Sequence, residues 1–369
     1  MKAGHLTDLQ AMADRQIAFS VTLDCPNKCE HCLVESGPEK KFTTISPETA
    51  QRYAAQMRPL YQAGIRQIGL TGGEPLVAPE PLAILSEAAA SSGIKCGVVT
   101  SASWAVDAST ADKVVRSFPH ISFWDISIDA YHKRYIPLSR VRNAFYAVKK
   151  AAKFVNLRVS YHVPVEKQDE EILRDVGGFA AQDEVTFQII RKEGRGKKIA
   201  VEDLENENLL NRPCLTRGMI VRWDGSIGPC CVNLTEERNH PFQFGNAQDR
   251  PLADILHDYT CHPLLQMMRV VGFSDILGWV REAGLEGELG GLIPDDVCYL
   301  CHHLYKKPAV SRYLAARAAQ PLNRLKIAIL VSKVLGRHNM LQQTVEELRC
   351  ISGQLPGFEQ AAALVKETA

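Results

Sequence analysis

The chain has 369 residues, 46% of them apolar, which is enough for one barrel with an extension or for two domains. Its 43 basic and 42 acidic side chains give a formal charge of +1, which argues against a nucleic-acid-binding or membrane-binding surface. No apolar run approaches the ~18 residues of a membrane span, and we expect no secretory leader. Eleven cysteines in such a chain predict metal binding in a reducing cytoplasm rather than disulfide bonds.

Short apolar runs alternate with amphipathic segments from Ile17 onward, which predicts βαβ units and a parallel sheet. Ser46 and Pro47 are typical of the N-cap and first turn of a helix, which we expect to end near Ala63. The other helices of this region are predicted at 80–92, 108–117, 141–154 and 170–180. Strands are predicted at 17–23, 65–70, 95–99, 121–128, 157–163 and 185–190. This pattern predicts an α/β fold with an open barrel of the (βα)6 type.

Three cysteines, Cys25, Cys29 and Cys32, follow the first predicted strand with the spacing C-x3-C-x2-C. Thiolates this close in sequence favour a soft metal centre. Because three thiolates cannot saturate a four-iron cluster, one iron would keep an open site for another ligand. The alternative is a structural zinc site with His31 as the fourth ligand, although this histidine lies at very short spacing between two of the cysteines.

Polar side chains collect where the predicted strands end, which is the edge at which parallel barrels carry their functional groups. The second strand is followed by Gly72-Gly73-Glu74-Pro75, whose glycines allow close backbone approach and whose carboxylate can accept hydrogen bonds from an ammonium group. Each candidate on the later strands also has a structural explanation, since a hydroxyl can satisfy a turn, Asp129 can cap a helix, and a lone histidine is often structural. These candidates are Thr100, Asp125, Ser127, Asp129, Arg158, Ser160, His162 and Gln188.

A second group of cysteines lies beyond residue 200. Apolar runs on both sides of Asp224-Gly225 predict a β-hairpin between them. Four thiolates around this hairpin could hold either a zinc ion or a fully ligated iron–sulfur cluster. The proline before Cys230 favours that cysteine over its neighbour. The candidate ligands are Cys214, one of Cys230 and Cys231, Cys298 and Cys301.

The C-x3-C-x2-C spacing, followed one βα unit later by Gly72-Gly73-Glu74-Pro75, resembles the radical SAM superfamily. The resemblance implies a [4Fe-4S] cluster whose open iron binds S-adenosylmethionine, with the glycine–glycine–glutamate stretch holding its amino group. It also implies reductive cleavage of this cofactor to a 5′-deoxyadenosyl radical. His31 departs from the family pattern, which usually has an aromatic residue before the third cysteine. The residues implied for cofactor binding are Gly72, Gly73, Glu74, Thr100, Ser127, Asp129, Arg158 and Gln188.

The second half of the chain looks like the SPASM and twitch branch of that family. The features that carry this resemblance are Gly194-Arg195-Gly196, the hairpin that ends in Cys230, Phe244-Gly245-Asn246 and the final C-x2-C. A full SPASM domain would need further ligating cysteines in a run that this chain does not offer. The resemblance therefore implies the twitch type with one auxiliary [4Fe-4S] cluster.

Helical patterns continue to the C-terminus without evident chemistry, at about 311–319, 322–335 and 341–351. The whole pattern predicts a partial (βα)6 radical SAM barrel, a small twitch-type iron–sulfur domain and a helical tail. The predicted boundaries are an N-terminal arm at 1–16, the barrel at 17–200, the auxiliary-cluster domain at 201–302 and the helical extension at 303–369.

The resemblance leaves the reaction open. We expect hydrogen abstraction from a small polar metabolite, such as an aminocyclitol or a sugar-like compound, that leads to oxidation or epimerisation. An oxidation needs an acceptor for a second electron, which the auxiliary cluster would supply, whereas an epimerisation needs a hydrogen donor such as Cys231 or Cys261. The alternatives are radical modification of a peptide or protein, as in ribosomal-peptide maturases and sulfatase-activating enzymes, and a non-catalytic metal-binding scaffold. An electron donor such as flavodoxin or ferredoxin is the expected protein partner.

Overall fold

A computed structural model of the chain describes residues 13–191, 193–199, 213–214, 216, 218–230, 240–290 and 297–368. Most of the predicted N-terminal arm and the candidate hydrogen donor Cys231 lie outside these residues. One sheet dominates the described part, with the spatial strand order β6-β5-β4-β3-β2-β1-β7-β8. In chain order its strands are β1 (Gln16–Thr22), β2 (Gln67–Gly72), β3 (Lys95–Thr100), β4 (Ile121–Ile128), β5 (Phe154–Tyr161), β6 (Val185–Ile189), β7 (Met219–Val221) and β8 (Ile227–Gly228).

The first six strands pair in chain order and run parallel, as the alternation of strands and helices predicts. The predicted hairpin is also present, because β7 and β8 pair antiparallel. Strand β7 lies parallel to β1 on the side opposite β2, so that Phe19 has Leu70 and Val221 as its neighbours. The hairpin therefore extends the barrel sheet, and the carboxyl ends of the six parallel strands meet at one edge.

Helices cover the sheet and bury its apolar side chains in a core that includes Phe19 and Trp124. Ser46 caps the first helix by accepting a hydrogen bond from the backbone N–H of Thr49 at 3.2 Å, as predicted. The helices of this half are α1 (Pro47–Ala54), α2 (Met57–Gln62), α3 (Pro79–Ser91), α4 (Ala108–Ser117), α5 (Ala130–Lys133), α6 (Leu138–Lys150) and α7 (Lys167–Gly177).

Several predicted boundaries differ from the structure by two or three residues, as at β2, β5 and α7, and two larger differences have identifiable reasons. The helix predicted at 47–63 breaks into α1 and α2, which places Pro59 in the first turn of α2, where its missing N–H breaks no helical hydrogen bond. The helix predicted at 141–154 is α6, which starts directly after Pro137 and ends at Lys150. A turn with Ala152 at φ 54° follows it, and Phe154 already pairs with Phe123 in the sheet.

The chain beyond residue 303 is helical, as predicted, and further helices at 252–282 lie in the predicted auxiliary-cluster domain. These helices pack on one another and join the same apolar core as the barrel. None of the described helices combines the length and the apolar character that crossing a bilayer requires. They are α8 (Leu252–Cys261), α9 (Pro263–Val270), α10 (Ser274–Glu282), α11 (Val297–Lys306), α12 (Pro308–Ala319), α13 (Pro321–Leu335), α14 (Asn339–Leu348) and α15 (Phe358–Thr368).

A buried charge cluster fastens these helices to the start of the barrel. Arg269 of α9 is fully buried and forms an ion pair with Asp14, which lies just before β1. Arg337, which follows α13, approaches the same carboxylate with its Nε at 2.8 Å. Because an ion pair removed from water is stable only when its partners stay together, this cluster fixes the position of the helices relative to β1.

His262 joins α8 to α9 and provides a pH-dependent contact. Its Nδ1 accepts a hydrogen bond from the backbone N–H of Leu265 at 3.2 Å, and its ring packs against Phe242 and Phe244 at centroid distances of 5.4 and 5.6 Å. Burial lowers the pKa of its imidazole from 6.5 to about 4. The folded chain therefore holds this ring neutral at pH values where the unfolded chain protonates it.

Stability should fall as the pH decreases from about 6.5 towards 4, because the unfolded state then binds a proton that folded His262 does not. Between pH 7.5 and pH 5 this loss amounts to about 2 kcal/mol. In the variant His262→Asn, which keeps a capping acceptor, the decrease should be smaller by that amount. Urea unfolding at both pH values measures it, with the exposed His120→Asn as the control. An unchanged pH dependence in His262→Asn would contradict the assignment.

Candidate active site

The three cysteines of the first motif lie on the cysteine loop, residues 24–37, which leaves β1 at its carboxyl end. The loop is closed at its base by a bridge between Asp24 and Gly37, with the N–H of Cys25 donating to the carbonyl of Gly37 at 3.3 Å. Cys25 and Cys29 are buried, and Cys32 is half-buried. The loop thus gathers three thiols at the edge where the barrel strands end.

Electrostatics at these thiols favour a metal centre. Burial raises the pKa of the Cys25 thiol to about 12, and the negative charges of Glu74, Cys29 and Cys32 add to this rise. Three thiols in such surroundings do not ionise together unless a cation compensates their charge. The donor set therefore fits a positively charged iron–sulfur centre bound through thiolates.

The paired glycines after β2 allow this strand to pack against the base of the cysteine loop. The N–H of Gly73 donates to the carbonyl of Thr22 at 2.7 Å, and the N–H of Glu74 donates to that of Asp24 at 2.9 Å. Gly72 has φ 131°, and a Cβ at either glycine would lie 2.0–2.1 Å from these carbonyl oxygens. Only glycine fits such an approach, so both residues hold the loop in place.

Glu74 is fully buried and accepts four hydrogen bonds from the protein. The donors to its carboxylate are the Thr100 hydroxyl at 2.8 Å, the Ser101 N–H at 2.8 Å, the Ser101 hydroxyl at 2.6 Å and the Leu76 N–H at 3.2 Å. Burial raises the pKa of this carboxyl group, and the hydrogen bonds oppose the rise. The Thr100 hydroxyl also accepts from the Trp104 indole at 2.9 Å. Glu74 and Thr100 therefore bind each other across the ends of β2 and β3.

Ser101 contributes two of these hydrogen bonds, although sequence reasoning did not include it among the candidate site residues. Its position directly after a predicted strand and next to Thr100 was the available signal. The pairing itself could not be read from the sequence, because Glu74 and Ser101 are 27 positions apart.

A polar line crosses β4, β5 and β6. Asp125 is buried and forms an ion pair with Arg158, and Asn156 donates to Asp125 at 2.8 Å and to Thr186 at 2.9 Å. The register places Asp125 opposite Asn156 and Arg158 opposite Ser127. On the next strand pair, Ser160 lies opposite Gln188, which is half-buried. Hydrogen bonds and an ion pair thus link Asp125, Asn156, Arg158 and Thr186 across the three strands.

Asp129 caps α5 and binds two histidines. Its Oδ1 accepts from the N–H groups of Tyr131 at 3.0 Å and His132 at 2.9 Å, while its Oδ2 lies 2.7 Å from His132 Nδ1 and 3.1 Å from His31 Nε2. Burial opposes ionisation of Asp129, but the two histidines hold the pKa of its carboxyl well below the usual range. His31 also stacks on Tyr131 with ring centroids 4.9 Å apart. This arrangement ties the cysteine loop to the end of β4.

His162 has a structural environment, in line with the structural alternative for a lone histidine. The ring is buried, with Nε2 2.9 Å from the hydroxyl of Tyr131 and Nδ1 3.0 Å from Asp169 of α7. These contacts join β5 to the helices on both sides of it.

The second group of cysteines converges around α11. Burial raises the pKa of Cys301 well above its ordinary value, and the negative charges of Cys214, Cys230 and Cys298 raise it further. Cys214, Cys230 and Cys298 are therefore neighbours of Cys301. Cys261 lies apart from them at the end of α8, where Asn339 is its 3.6 Å neighbour.

The spacing of the thiols distinguishes zinc from an iron–sulfur cluster. A zinc tetrahedron with Zn–S bonds of about 2.3 Å places its sulfur atoms about 3.8 Å apart. In the part of the chain that the structure describes, the one group of three possible ligands within 4.8 Å is His31, Asp129 and His132, so neither cysteine set is that compact. A four-iron cluster binds each thiolate at a separate iron and needs the wider spacing. Both cysteine sets therefore fit a cluster better than zinc.

A short connecting segment, Arg191 and residues 193–196, contacts both cysteine sets. Arg195 donates to the carbonyls of Cys29 at 2.9 Å and Ser36 at 2.7 Å through its guanidinium, and to that of Cys32 at 3.1 Å through its N–H. At the other end, Arg191 Nη1 lies 3.5 Å from Cys298 Sγ. The connecting segment, which contains the predicted Gly-Arg turn at Gly194-Arg195-Gly196, is thus the place where the barrel, the cysteine loop and the second cysteine set meet.

These features define an α/β barrel enzyme with iron–sulfur chemistry at the carboxyl edge of its sheet. Residues 19–176 match the family model of the radical SAM superfamily, and residues 214–270 match that of the SPASM iron–sulfur cluster-binding domain. The chain therefore carries a radical SAM domain followed by a SPASM-type iron–sulfur cluster-binding domain. Its cofactors are accordingly a [4Fe-4S] cluster, S-adenosylmethionine and an auxiliary iron–sulfur cluster.

Solved structures with a similar fold include native anSMEcpe with bound AdoMet and Kp18Cys peptide, at 16% identity and a TM-score of 0.48, over 65% of this chain and 79% of that chain. Hexahistidine-tagged anSMEcpe with bound AdoMet has 15% identity and a TM-score of 0.49, over 89% and 98%. BtrN in complex with AdoMet and 2-DOIA has 14% identity and a TM-score of 0.38, over 69% and 87%. No curated protein matches the chain significantly.

Gly194 should be essential for the contact between the connecting segment and the cysteine loop. It has φ 55°, and a Cβ there would lie 2.4 Å from the carbonyl oxygen of Cys32. Gly194→Ala should lower the free energy of unfolding by about 1–3 kcal/mol and reduce the iron bound per chain. Gly177→Ala is the matched control, because no atom lies within 4 Å of its Cβ position. Equal stability and iron content in both variants would contradict this role.

Proposed function

We propose that this radical SAM enzyme oxidises a small polar metabolite that carries hydroxyl or amino groups. Cys25, Cys29 and Cys32 hold the cluster that binds S-adenosylmethionine, and Cys214, Cys230, Cys298 and Cys301 hold one auxiliary [4Fe-4S] cluster. The observation that carries the proposal is the polar line across β4, β5 and β6, whose β4 residues lead on to Asp129 and its contact with His31 of the cysteine loop. An aminocyclitol or a sugar-like compound has the hydrogen-bonding groups that such a surface requires.

The bound S-adenosylmethionine supplies a carbon-centred oxidant that removes a hydrogen atom from an unactivated C–H bond. The chain positions the reactants and keeps water away from them. Asp125 and Asn156 position Arg158 through their contacts with one another, and Arg158 orients the substrate. Ser127 and Gln188 are the candidates for direct contact with cofactor or substrate on the same face. Glu74 and Thr100 already form hydrogen bonds within the protein. We therefore assign them to positioning the cysteine loop.

Oxidation of an alcohol to a ketone removes one hydrogen atom, one proton and one electron. The electron needs an acceptor. Because four thiolates leave the auxiliary cluster no open iron for a substrate, this cluster would serve in electron transfer. Epimerisation would instead need a hydrogen donor. Among the described residues, the cysteines outside the two ligand sets are Cys96 in β3, Cys261 in α8 and Cys350 in the helical tail. Oxidation is favoured because the auxiliary cluster gives the electron an acceptor, whereas the candidate donor Cys231 lies outside the described residues.

One observation supports a peptide substrate as the second candidate. Strand β6 is the edge of the sheet, and its Phe187 and Ile189 are 58% and 41% exposed. Phe154 at the start of the neighbouring β5 is 77% exposed. An extended peptide can add to such an edge through backbone hydrogen bonds. In either case we expect flavodoxin or ferredoxin as the electron donor.

Iron counting tests the two-cluster assignment. After anaerobic reconstitution the chain should carry about eight irons, and the triple variants Cys25/Cys29/Cys32→Ala and Cys214/Cys298/Cys301→Ala should carry about four each. Cys350→Ala is the control and should keep about eight irons. A parent chain with about four irons, all lost in the first triple variant, would leave the second cysteine set without a cluster and remove the proposed electron acceptor.

Turnover in D2O separates the possible reactions. Each candidate substrate is incubated with reductant and S-adenosylmethionine, and 5′-deoxyadenosine and the product are analysed by mass spectrometry. Oxidation should give a product two mass units lighter than the substrate, without deuterium at the reacting carbon. Epimerisation with an exchangeable donor would instead add one deuterium there. Formation of 5′-deoxyadenosine that depends on peptides alone would favour the second candidate, and none under any condition would indicate a scaffold.

A further inference from the structure

Arg191 has a position that neither the barrel nor the cofactor motif explains. The N–H of Ile190 still donates to the carbonyl of Tyr161 at 2.9 Å, so the chain remains held to β5 up to the residue before Arg191. A Cβ on Gly196 would lie 2.3 Å from the carbonyl oxygen of Arg191, so the connecting segment also folds back against it. The backbone of Arg191 is thus held from both sides, and its side chain extends to Cys298.

The charge of this side chain acts on the second cysteine set. Its Nη1 is 3.5 Å from Cys298 Sγ, which is hydrogen-bonding distance for a sulfur acceptor. Its positive charge also reaches Cys214, where it favours the thiolate. Because guanidinium stays protonated at any pH that the fold tolerates, this charge is permanent. Two of the four candidate ligands therefore lie in the field of one fixed cation.

A hydrogen bond and a positive charge at a ligand sulfur favour the reduced state of an iron–sulfur cluster, because reduction adds one negative charge. Glu193, two residues further along, is 1% exposed, and its negative charge acts on Cys301. This carboxylate has the opposite effect on reduction. The connecting segment thus places one charge of each sign against the same cysteine set, and the cationic one makes the direct contact with a sulfur.

We propose that Arg191 is a positioning residue that raises the reduction potential of the auxiliary cluster and so makes it an acceptor for the substrate's second electron. This inference rests on the proposed function, which assigns Cys298 as a cluster ligand. Arg191 extends from the end of β6, the last parallel strand of the barrel. The tuning charge therefore belongs to the barrel, and its distance from Cys298 depends on how the barrel and the auxiliary segment pack together.

The test is a redox titration of the auxiliary cluster, monitored by electron paramagnetic resonance. It is carried out in the chain with both cysteine sets and in the Cys25/Cys29/Cys32→Ala background. Arg191→Met should make reduction at least about tenfold less favourable, a shift of about 59 mV to lower potential. Arg191→Lys keeps the charge and should shift less. Lys198→Met removes an equal charge from an exposed position of the same turn and should leave the potential unchanged.

A potential equal to that of the parent in Arg191→Met, with about four irons retained in the triple-alanine background, would overturn the proposal. If Arg191→Met fails to hold iron, Arg191→Gln decides instead, because it keeps a hydrogen-bond donor and removes the charge. Arg191→Gln should lower the potential, and a parental value in this variant would overturn the proposal.

The titration also separates this inference from the proposed function. If Arg191→Met lowers the potential of the auxiliary cluster but the parent chain does not form an oxidised product, the role of Arg191 is upheld and the proposed oxidation is overturned. A parent chain without auxiliary iron would overturn both.

Discussion

The geometry of the site depends on the buried carboxylate of Glu74, which lies where β2 and β3 end. Moving an ionised carboxylate out of water is costly, and the cost is offset only when donors replace the lost water. The chain supplies these donors from Leu76, Thr100 and Ser101, which joins the ends of β2 and β3. The backbone of Gly73 and Glu74 binds the carbonyls of Thr22 and Asp24, so the same residues fix the base of the cysteine loop.

The elements with local signals could be predicted from the sequence. Period and length identified the six parallel strands, and Asp224-Gly225 identified the hairpin. The motif around Cys25 indicated a cluster because ligand spacing is a local property. Where a boundary prediction was wrong, the reason was also local: Pro59 moved a helix start, and Ala152 adopted a turn conformation ahead of β5.

The contacts that organise the site could not be predicted, because they join distant parts of the chain. Glu74 meets Ser101 only through the register of two parallel strands, and the sequence pattern does not specify that register. Asp129 caps α5, which is one of its two sequence explanations, and it also contacts His31 and His132, while its role in cofactor binding stays a prediction. Arg191 meets Cys298 across 107 positions of the chain, and no local pattern pairs the two residues.

The contact between Arg195 and Cys29 joins residues 166 positions apart. Closing so long a segment is entropically unfavourable until intervening structure shortens the path, which here means the helices and strands from β2 to β6. We therefore expect the contact between Arg195 and the cysteine loop to form late in folding, after the strands between them. Cluster insertion during biogenesis would then take place on a nearly finished scaffold, with the Gly-Arg turn closing over the loop as the last step.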